Sequence, residues 1–535
     1  MSIAKTLVKK IAGAPEPLDF FALLSENGEK DNCILLESAD KSAEVISQQG
    51  GKSIGCCNPS LRLIGKEDSF QIIALNDLGE KILQAMHDDF GFCESLEFSA
   101  GMISGIVKKR PMLVSEEERL KVPTLADVLR TIAFKFKMQG AKIPVPGGLF
   151  GAISYDFIGQ FESLPPNSSD ITNDPDFDML FLDNLFIINH QANETLLVSN
   201  YFPSIEGESE GKHRSESILQ VLEEALSKKQ VLKANLEKTV LKKSSDTSKE
   251  EFIRMVEDCK EHIIEGDVFQ IVVSKTSILE PVNHPLIVYK ALKNLNPGPY
   301  MFYFKTVDGI LFGSSPETFI KVSNLPLPSK ERKVEIRPIA GTKPRGFTPD
   351  GKIDFDLDSR FENELKTDEK ELAEHTMLVD LARNDVARVS KPGTRIVDKP
   401  HCIEKYSHVM HLVSNVSGIL KPELDALHAY LASMNMGTLS GAPKVKAMEL
   451  IRLLEKTKRG FYGGSIGYLT FDGELDSAIV IRSVRVKGNK AFVRSGAGIV
   501  FDSVPEKEFD EVERKARACV RAIEIGENAP GGDEK

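Results

Sequence analysis

The feature that most limits the fold is a group of short, closely spaced strands in the second half of the chain. Residues 463–470, 478–481 and 491–494 are mostly apolar or β-branched and are separated by turns that contain glycine. Connections this short join antiparallel strands, because parallel strands need a crossover of a dozen residues or more. A helix is predicted after them, over 505–525. The sequence therefore predicts an antiparallel meander closed by a helix and an α+β class, with a doubly wound α/β fold as the alternative.

Two polar stretches divide the chain. The Gly/Ser/Glu-rich segment 203–214 is predicted to be a loop, and 242–249 is again polar. Between them, apolar residues at helical spacing predict a helix over 215–233. We therefore predict two regions, an N-terminal region of residues 1–240 and a C-terminal region of residues 241–535.

Bulk composition excludes several classes of function. The formal net charge is -11 at pH 7, so the chain has no basic field that would attract nucleic acid. No segment approaches the roughly 20 apolar residues of a membrane-spanning helix, and the N-terminus lacks the apolar core of a signal peptide. The seven cysteines have no zinc-binding spacing. We expect reduced thiols and a cytoplasmic location.

Two pairs of glutamates are the strongest local sign of chemistry. Glu371 and Glu374 lie three residues apart in one predicted helix, so they project from one helix face. Glu508 and Glu511 repeat that spacing in a second predicted helix. Four converging carboxylates would need a divalent cation, and hard oxygen ligands favour Mg²⁺. Each pair taken alone is more simply explained as a solvated helix face, and the spacing leaves both interpretations open.

Three glycine-rich turns could hold an anion. Residues 339–346, 437–444 and 495–498 each combine glycine with a hydrogen-bond donor, and glycine lets backbone N–H groups approach an oxyanion closely. The second turn lacks the spacing of a phosphate-binding loop. By pattern alone all three are ordinary tight turns, and His411 and Tyr462 are ordinary core residues.

Taken together and in order, these segments resemble the chorismate-using enzymes and, within that family, the large subunit of anthranilate synthase. The resemblance covers the chain from about residue 20 to residue 525. It implies a two-part α/β sandwich in which an N-terminal region packs against a catalytic C-terminal region. The stretches that carry it are Leu-Leu-Glu-Ser-Ala-Asp (35–40), Gly-Asp-Val-Phe-Gln (266–270), Asn-Pro-Gly-Pro-Tyr-Met-Phe-Tyr (296–303), Gly-Ser-Ser-Pro-Glu (313–317), Pro-Ile-Ala-Gly-Thr-Lys-Pro-Arg-Gly (338–346), Glu-His-Thr-Met-Leu-Val-Asp-Leu-Ala-Arg-Asn-Asp (374–385), Met-Asn-Met-Gly-Thr-Leu-Ser-Gly-Ala-Pro-Lys (434–444) and Gly-Ala-Gly-Ile-Val-Phe-Asp-Ser-Val-Pro (496–505).

Two positions distinguish the branches of this family. Water-adding members carry a lysine base where this chain has Gln270; a neutral amide cannot activate water, whereas unprotonated ammonia needs only placement. Aminodeoxychorismate synthases typically carry a lysine where this chain has Ala340. Both positions favour anthranilate synthase. The chain departs from the family pattern at three positions. Lys343 and Arg514 keep or add positive charge, and Gly298 replaces a frequent serine.

By resemblance, the reaction is amination of chorismate followed by loss of pyruvate. This makes the chain a Mg²⁺-dependent lyase of tryptophan biosynthesis. Glu317 is expected to protonate the leaving C4 hydroxyl, which requires its pKa to rise by about 2 units. The resemblance also assigns Gln270 and His411 to catalysis, Glu374 and Glu511 to direct Mg²⁺ ligation, and Glu371 and Glu508 to support of the site.

The resemblance further predicts the contacts of the substrate. Gly341, Thr342 and Thr438 would line the ring of chorismate, and Arg482 suits a bidentate grip on the pyruvyl carboxylate. The other residues expected on the pyruvyl side are Tyr462, Gly496, Ala497, Gly498 and Lys515.

Tryptophan is the inhibitor that the resemblance implies, at a site separate from the chorismate pocket. Glu37 and Ser38 would meet the amino acid head, and apolar side chains would meet the indole. Tyr462 and Tyr468, expected on one strand, would couple the two sites. The predicted inhibitor contacts are Leu36, Glu37, Ser38, Pro299, Tyr300, Met301, Ile466 and Tyr468.

The source of ammonia is not in this chain. A class I glutaminase needs a Gly-x-Cys-x-Gly nucleophile turn, and none of the seven cysteines lies in one. We therefore expect either free ammonia or a separate glutaminase subunit, in a heterotetramer. The alternatives are an aminodeoxychorismate synthase and, from another class, a regulator that binds tryptophan or chorismate without turnover.

Overall fold

The computed structural model describes residues 2–39, 51–108, 122–140, 143–167, 169–228, 232, 239–326, 328–406 and 408–528. The helices in these ranges, α1 to α12, are Pro17–Leu24, Asp77–Gln84, Leu125–Ala133, Pro203–Glu206, Glu208–Leu226, Lys249–Ile264, Pro285–Leu295, Phe355–Thr367, Glu369–Val389, Ala426–Ser433, Lys444–Leu454 and Pro505–Asn528. The strands, β1 to β26, are Ser2–Ala12, Cys33–Glu37, Lys52–Cys56, Leu61–Lys66, Ser69–Ala74, Cys93–Ser99, Met102–Val107, Phe136–Gln139, Gly148–Ile153, Phe177–Leu182, Asn184–Asn189, Glu194–Tyr201, Lys242–Ser245, Gln270–Glu280, Tyr300–Thr306, Gly309–Ser315, Thr318–Asn324, Arg332–Ile336, Ile339–Pro344, Ile396–Lys405, Val409–Ile419, Gly441–Ala442, Ser465–Thr470, Leu475–Ile479, Ser483–Lys487 and Lys490–Ile499.

Two large sheets contain all of these strands, with 13 described strands in each. In sheet A the order is β13-β14-β26-β25-β16-β15-β2-β3-β11-β12-β1-β8, with β22 paired to β14. In sheet B the order is β19-β21-β18-β17-β24-β23-β9-β10-β4-β5-β7-β6, with β20 paired to β21. The pairing is antiparallel except between β1 and β8. This antiparallel pattern confirms the α+β class and rules out the doubly wound alternative.

The sheets face each other, and the helices cover their outer faces. Phe150 and Ile466 of sheet B pack with Leu36 and Phe302 of sheet A in one cluster between the sheets. Helices α1, α5, α7 and α12 pack on the outer face of sheet A. Helices α2, α3, α9 and α10 pack on the outer face of sheet B. Among the described helices, none combines the length and the apolar character that crossing a bilayer requires.

Both sheets run without a break across residue 240, the predicted boundary between the two regions. In sheet A, β2 of the N-terminal region pairs with β15 of the C-terminal region. In sheet B, β9 pairs with β23 over six residue pairs, from Ser465↔Ile153 to Thr470↔Gly148. A buried hydrogen bond also crosses between the sheets. Arg62 of β4 pairs with Asp178 of the neighbouring strand β10 at 2.7 Å, and it donates to the hydroxyl of Thr306 in sheet A at 3.1 Å. We call the β2–β15 and β9–β23 pairings the seam.

The single meander predicted near the C-terminus is wrong. Strands β23 and β24 form a hairpin in sheet B, whereas β25 and β26 form a hairpin in sheet A. The chain crosses between the sheets at Arg482, which has a φ of 50°. A non-glycine residue rarely adopts this left-handed backbone, and it turns the chain sharply here. The closing helix was predicted correctly and runs to Asn528.

The loop predicted over 203–214 is also wrong, because most of this segment is helical. Helices α4 and α5 occupy it, and α5 ends at Leu226 rather than at residue 233. The polar side chains that suggested a loop form ion pairs that hold the tertiary structure instead. Arg214 bonds Glu206 at 2.8 Å, and Glu208 pairs with Lys5 of β1 at 2.8 Å. Part of the predicted helix beyond residue 228 lies outside the described residues.

Separate expression of residues 1–240 and 241–535 tests whether the two regions can fold alone. Each fragment loses its partner strand in both sheets, and unpaired edge strands pair with whatever strand they meet. We expect both fragments to be insoluble or loosely folded alone and to form one soluble complex when they are co-expressed. Size-exclusion chromatography and thermal unfolding measure this outcome. A soluble monomeric fragment with a cooperative unfolding transition would show instead that the boundary separates independent domains.

Candidate active site

Glu317 lies in the short turn between β16 and β17, where Ser315 accepts a hydrogen bond from its backbone N–H at 3.3 Å. Its side chain is only 6% exposed. Burial raises the pKa of Glu317 to about 8, and the nearby Thr438 hydroxyl, Lys515 and Arg482 oppose this rise more weakly. Glu317 Oε1 and Thr438 Oγ1 are both buried without a hydrogen-bond partner among the described residues. The site therefore contains a carboxylic acid that is protonated at neutral pH.

Two cations lie near this acid. The guanidinium of Arg482 makes no hydrogen bond or ion pair with the described residues, and burial lowers its pKa. Lys515 of α12 donates to the Gly496 carbonyl at 3.0 Å and pairs with Glu511 at 2.7 Å. Arg482 is half-buried, and a guanidinium that is partly withdrawn from water without a carboxylate partner is costly unless a bound anion compensates it. The structure thus brings together the predicted anion-binding residues Arg482 and Lys515.

His411 of β21 is held by two groups of the neighbouring strand β19. Its Nδ1 lies 3.0 Å from Thr342 Oγ1 and 3.2 Å from the Gly341 carbonyl oxygen. A carbonyl only accepts, so Nδ1 carries the proton and Nε2 is free to accept one. Burial lowers the pKa of His411 and keeps the ring neutral. The hydrogen bonds join three residues that the sequence assigned to the site.

Gly341 owes its conformation to a bulge in β19. The register against β21 shifts between Ala340 and Thr342, and Gly341 has a φ of 62°. A Cβ on Gly341 would lie 2.7 Å from Leu365 and 3.0 Å from a Glu371 oxygen. Glycine is therefore required both by the backbone conformation and by the close approach of Glu371.

The four predicted glutamates project from α9 and α12 toward one another. Burial, and then the negative charge of Glu374, raise the pKa of Glu371. Burial also raises the pKa of Glu508, with a contribution from Glu511. Gln270 joins this group because its Nε2 donates to Glu374 at 3.0 Å. The solvated-face interpretation is therefore wrong for these pairs, since their carboxylates interact with one another across two helices.

These carboxylates do not form a closed metal cage. No three of their ligand atoms lie within 4.8 Å of one another; the described group that meets this distance is His262, Glu265 and Asp267. The chemistry of the donor set nevertheless fits a divalent cation. Mutual repulsion contributes to the raised pKa values of Glu371 and Glu508, and a hard cation at this place would remove that repulsion.

The glycines of β26 leave room beside the cations. A Cβ on Gly496 would lie 3.0 Å from the Tyr462 hydroxyl, and one on Gly498 would lie 2.6 Å from Gln270 Nε2. Both glycines therefore face the site. Ala497, between them, faces the opposite side and packs in an apolar cluster with Val273 and Ile499. The predicted contact of Ala497 with substrate can involve only its backbone.

Near the seam, some of the predicted inhibitor residues lie between the two sheets, and others lie on the outer face of sheet A. Leu36, Ile466 and Tyr468 pack together between the sheets. The hydroxyl of Ser38, two residues after Leu36 in the sequence, is buried without a partner among the described residues. Tyr468 also stacks on Phe150 with ring centroids 5.1 Å apart. These residues form a mainly apolar surface that has one free hydroxyl.

Glu37 and Met301 do not share this surface. They pair with each other across β2 and β15, and Met301 packs in the cluster on the outer face of sheet A. The carboxylate of Glu37 accepts from the Tyr289 hydroxyl and from Lys293, each at 2.6 Å. Adjacent residues in a strand point to opposite faces. The expectation that Glu37 binds the amino group of an inhibitor is not met, because both of its oxygens are engaged elsewhere.

Tyr300 connects the seam to the sheet that carries Glu317. Its hydroxyl lies 3.0 Å from Thr318 Oγ1, next to Glu317 in sequence, and donates to Asp476 of β24 at 3.1 Å. Pro299 is buried just before β15. Tyr462 lies in the turn before β23 rather than in that strand. The prediction that Tyr462 and Tyr468 lie on one strand is therefore wrong, and the coupling of the two sites stays a prediction.

Two contacts of the site were not predicted from the sequence. Tyr406 packs edge-on against His411 with ring centroids 5.3 Å apart. Arg459 lies over the ring of Tyr462 at 5.8 Å. Tyr406 has no recognisable motif around it. Arg459 is part of the Arg-Gly-Phe-Tyr-Gly-Gly segment, so its closeness to Tyr462 in sequence was a signal that could have been used.

Comparison with known proteins agrees with this geometry. The sequence profile of a family described as chorismate binding enzyme matches residues 101–521. The chain is 40% identical over 522 residues to anthranilate synthase component 1 of Vibrio parahaemolyticus, covering 97% of this chain and 93% of that one. It is 41% identical over 507 residues to the protein of the same name from Escherichia coli K12, covering 94% of each chain. The crystal structure of anthranilate synthase component I from Streptococcus pneumoniae TIGR4 matches with a TM-score of 0.69 at 30% identity, covering 88% of this chain and 92% of that one.

These similarities extend over nearly the whole chain and include both regions. They confirm the resemblance seen in the sequence, and the sandwich fold agrees with that of the streptococcal structure. The chain therefore belongs to the chorismate-binding enzymes, in the family of anthranilate synthase component 1.

Proposed function

We propose that this chain converts chorismate and ammonia to anthranilate and pyruvate as a Mg²⁺-dependent lyase in the cytoplasm. The observation that supports this most is Glu317, a buried acid with a pKa of about 8 beside two cations. Loss of the C4 hydroxyl of chorismate needs a proton donor, and a dicarboxylate substrate needs cations nearby. Gln270, a neutral amide, favours ammonia over water as the nucleophile.

In the first step, ammonia adds at C2, the ring double bonds shift, and the C4–O bond breaks. The leaving hydroxide takes the proton of Glu317 and departs as water. The ammonium group formed at C2 loses one proton, which balances the proton that Glu317 gave up. Arg482 and Lys515 hold the pyruvyl carboxylate, so that the ring lies against Thr342 and Thr438. In the second step the C2 proton is removed and the C3–O bond to the enolpyruvyl group breaks, which makes the ring aromatic. The released enolate takes up one proton on carbon and leaves as pyruvate, so that protons balance. His411, with Nε2 unprotonated, is placed to accept a proton.

Magnesium would be held by Glu374 and Glu511, with Glu371 and Glu508 in support. When bound, it would neutralise the ring carboxylate of chorismate, which the four glutamates would otherwise repel. The raised pKa values of Glu371 and Glu508 support this assignment.

The partner that we propose is a glutaminase subunit in a heterotetramer. The names of the relatives specify a component 1, and the present sequence has no glutaminase nucleophile turn. Tryptophan is the proposed feedback inhibitor, bound at the seam against Leu36, Ser38, Ile466 and Tyr468. The free Ser38 hydroxyl and the apolar surface around it support this site.

Turnover with chorismate, Mg²⁺ and ammonium tests the activity through the fluorescence of anthranilate. We expect the purified chain to work with ammonium and to fail with glutamine as the only nitrogen source. Glu374→Gln and Glu511→Gln should lower turnover at limiting Mg²⁺ by about 100-fold or more, because each removes a charged ligand. Glu506→Gln, on an exposed position of α12, is the matched control. The para isomer as product would identify an aminodeoxychorismate synthase, and full activity of both variants would reject the metal assignment.

The pH dependence of turnover tests Glu317. The reaction needs its protonated form, so turnover per free ammonia should be constant below about pH 8 and fall above it. Glu317→Gln should reduce turnover by roughly 100- to 10,000-fold, the range of general acid catalysis. Glu317→Asp is the control that keeps the carboxyl. An alkaline limb that persists in Glu317→Gln would assign the proton to another group.

Glu317→Gln should raise the stability of the protein although it lowers its activity. The pKa of Glu317 in the folded chain, about 8, lies above its value of 4.5 in the unfolded chain. The native state thus binds the proton more tightly, and this contribution to stability is complete below 4.5 and is lost as pH rises through about 8. Glu317→Gln has no carboxyl to ionise and therefore avoids this loss. Its Tm should exceed that of the wild type, and the difference should grow from pH 5 to pH 9. Equal Tm values at pH 9 would show that the acid is not buried.

Tryptophan binding can be measured directly because the chain contains no tryptophan. Added tryptophan should change its fluorescence on binding and slow turnover. Ser38→Phe should abolish both effects and keep ammonia-dependent turnover, because the larger ring fills the surface at the seam. Ser69→Phe, on the exposed side of β5, is the control and should leave binding unchanged. If millimolar tryptophan neither binds to nor slows the wild type, the seam is purely structural.

A further inference from the structure

Arg459 is a buried arginine, 5% exposed, in the turn that precedes Tyr462. Its guanidinium lies over the Tyr155 ring at 4.6 Å and over the Tyr462 ring at 5.8 Å. Its backbone carbonyl accepts from the Tyr462 N–H at 3.2 Å. Arg459 therefore contacts a predicted substrate residue through both its side chain and its backbone.

The same guanidinium joins two other elements of the site. Nη1 donates to the carbonyl of Leu439, next to Thr438 in sequence. Nη2 donates to the carbonyl of Val272 at 2.7 Å, two residues after Gln270 in β14. One rigid planar group thus holds the Thr438 turn, the Gln270 strand and the Tyr462 turn at fixed spacing.

A buried carboxylate fixes the orientation of Arg459. Glu455 accepts from Arg459 Nη2 at 2.6 Å and from Arg494 Nη2 at 2.6 Å. It also accepts from the N–H and the hydroxyl of Ser274, each at 2.8 Å. Glu455 is 2% exposed, and its pKa is lowered because the two arginines outweigh the effect of burial. Every oxygen of Glu455 is engaged, so the guanidinium cannot rotate away from the two carbonyls.

Arg494 has a different set of contacts, although it shares the same carboxylate. It donates to the Ser274 hydroxyl at 2.8 Å and to the carbonyl of Lys458 at 2.7 Å. Among the described residues it makes no hydrogen bond to the Thr438 turn, and the cation–π contact with the Tyr462 ring is made by Arg459. The bonds to the Leu439 and Val272 carbonyls distinguish Arg459 from an arginine that only stabilises the fold.

We propose that Arg459 is a positioning residue of the reaction, which acts through the Thr438 turn to place the substrate ring against Glu317. This proposal rests on the proposed function, since it names a residue that serves that same site. The general basis is that a displacement of about 1 Å at a reacting group can cost roughly 100-fold in rate. Lysine at this position keeps the charge but loses the planar fork that reaches both carbonyls.

A double-mutant cycle tests the proposal with chorismate and ammonium as substrates. Arg459→Lys should lower kcat/KM for chorismate by roughly 10- to 100-fold. In a Thr438→Val background the same change should cost only about 2- to 3-fold, because the turn then has no hydroxyl left to position. Glu455→Asp, which draws the carboxylate back by one methylene, should show the same coupling to Thr438→Val.

Arg62→Lys is the matched control, since Arg62 is a buried arginine, 2% exposed, that also pairs with a carboxylate. It lies on β4, which β9 and β10 separate from β23 in sheet B. The variant should lower the Tm, leave kcat/KM within about two-fold of the wild type, and combine additively with Thr438→Val. Additive effects of Arg459→Lys, or of Glu455→Asp if the lysine variant does not fold, would overturn the proposal. A wild type that does not turn over chorismate would overturn the proposed function instead.

Discussion

The architecture depends on two strand pairings, β2 with β15 and β9 with β23. Each pairing joins six strands of the N-terminal region to the strands of the C-terminal region, so that two continuous sheets result. Backbone hydrogen bonds make these joints, and they leave the side chains free to form the cluster between the sheets. Arg62 adds a second kind of joint, because its buried ion pair contacts both sheets. Breaking a buried pair of this kind typically costs about 3–5 kcal/mol.

The distribution of charge follows from how deeply each group is buried. Arg482, a cation without a partner among the described residues, lies on one side of the site, and mutually repelling carboxylates lie on the other, at Glu371 and Glu508. Neither side is stable by itself, because unpaired charges in a low dielectric are costly. Glu317 avoids the cost by staying protonated. A substrate with two carboxylates and a divalent cation would satisfy both sides at once.

Much of the site could be read from the sequence because its residues lie in compact motifs. The spacing of Glu371 and Glu374 placed both on one helix face. The glycine-rich turn that contains Gly341 correctly indicated that another group approaches the backbone closely there. The pairing of distant segments could not be read in this way. The β2–β15 joint links residues separated by about half the chain. The face of the sheet toward which Glu37 points, and hence its contact with Tyr289, depends on that pairing.

Local composition also misled where tertiary contacts decided the outcome. Residues 203–214 have the composition of a loop, yet ion pairs with β1 and with Asp183 hold them as helix. The short strands after residue 463 have the spacing of one meander, yet the left-handed backbone at Arg482 sends half of them into the other sheet. No feature of the sequence around Arg482 predicts that conformation, because arginine rarely adopts it.

The seam has a further consequence during protein synthesis. Strand β9 ends at Ile153, and its partner β23 begins only at Ser465. Translation adds about 5–20 residues per second, so the edge of β9 stays unpaired for on the order of 15 to 60 s before β23 is synthesised. The edge of β2 waits almost as long for β15. Open edges recruit the strands of other nascent chains. The period of greatest aggregation risk is therefore set by the speed of translation, not by the stability of the finished protein.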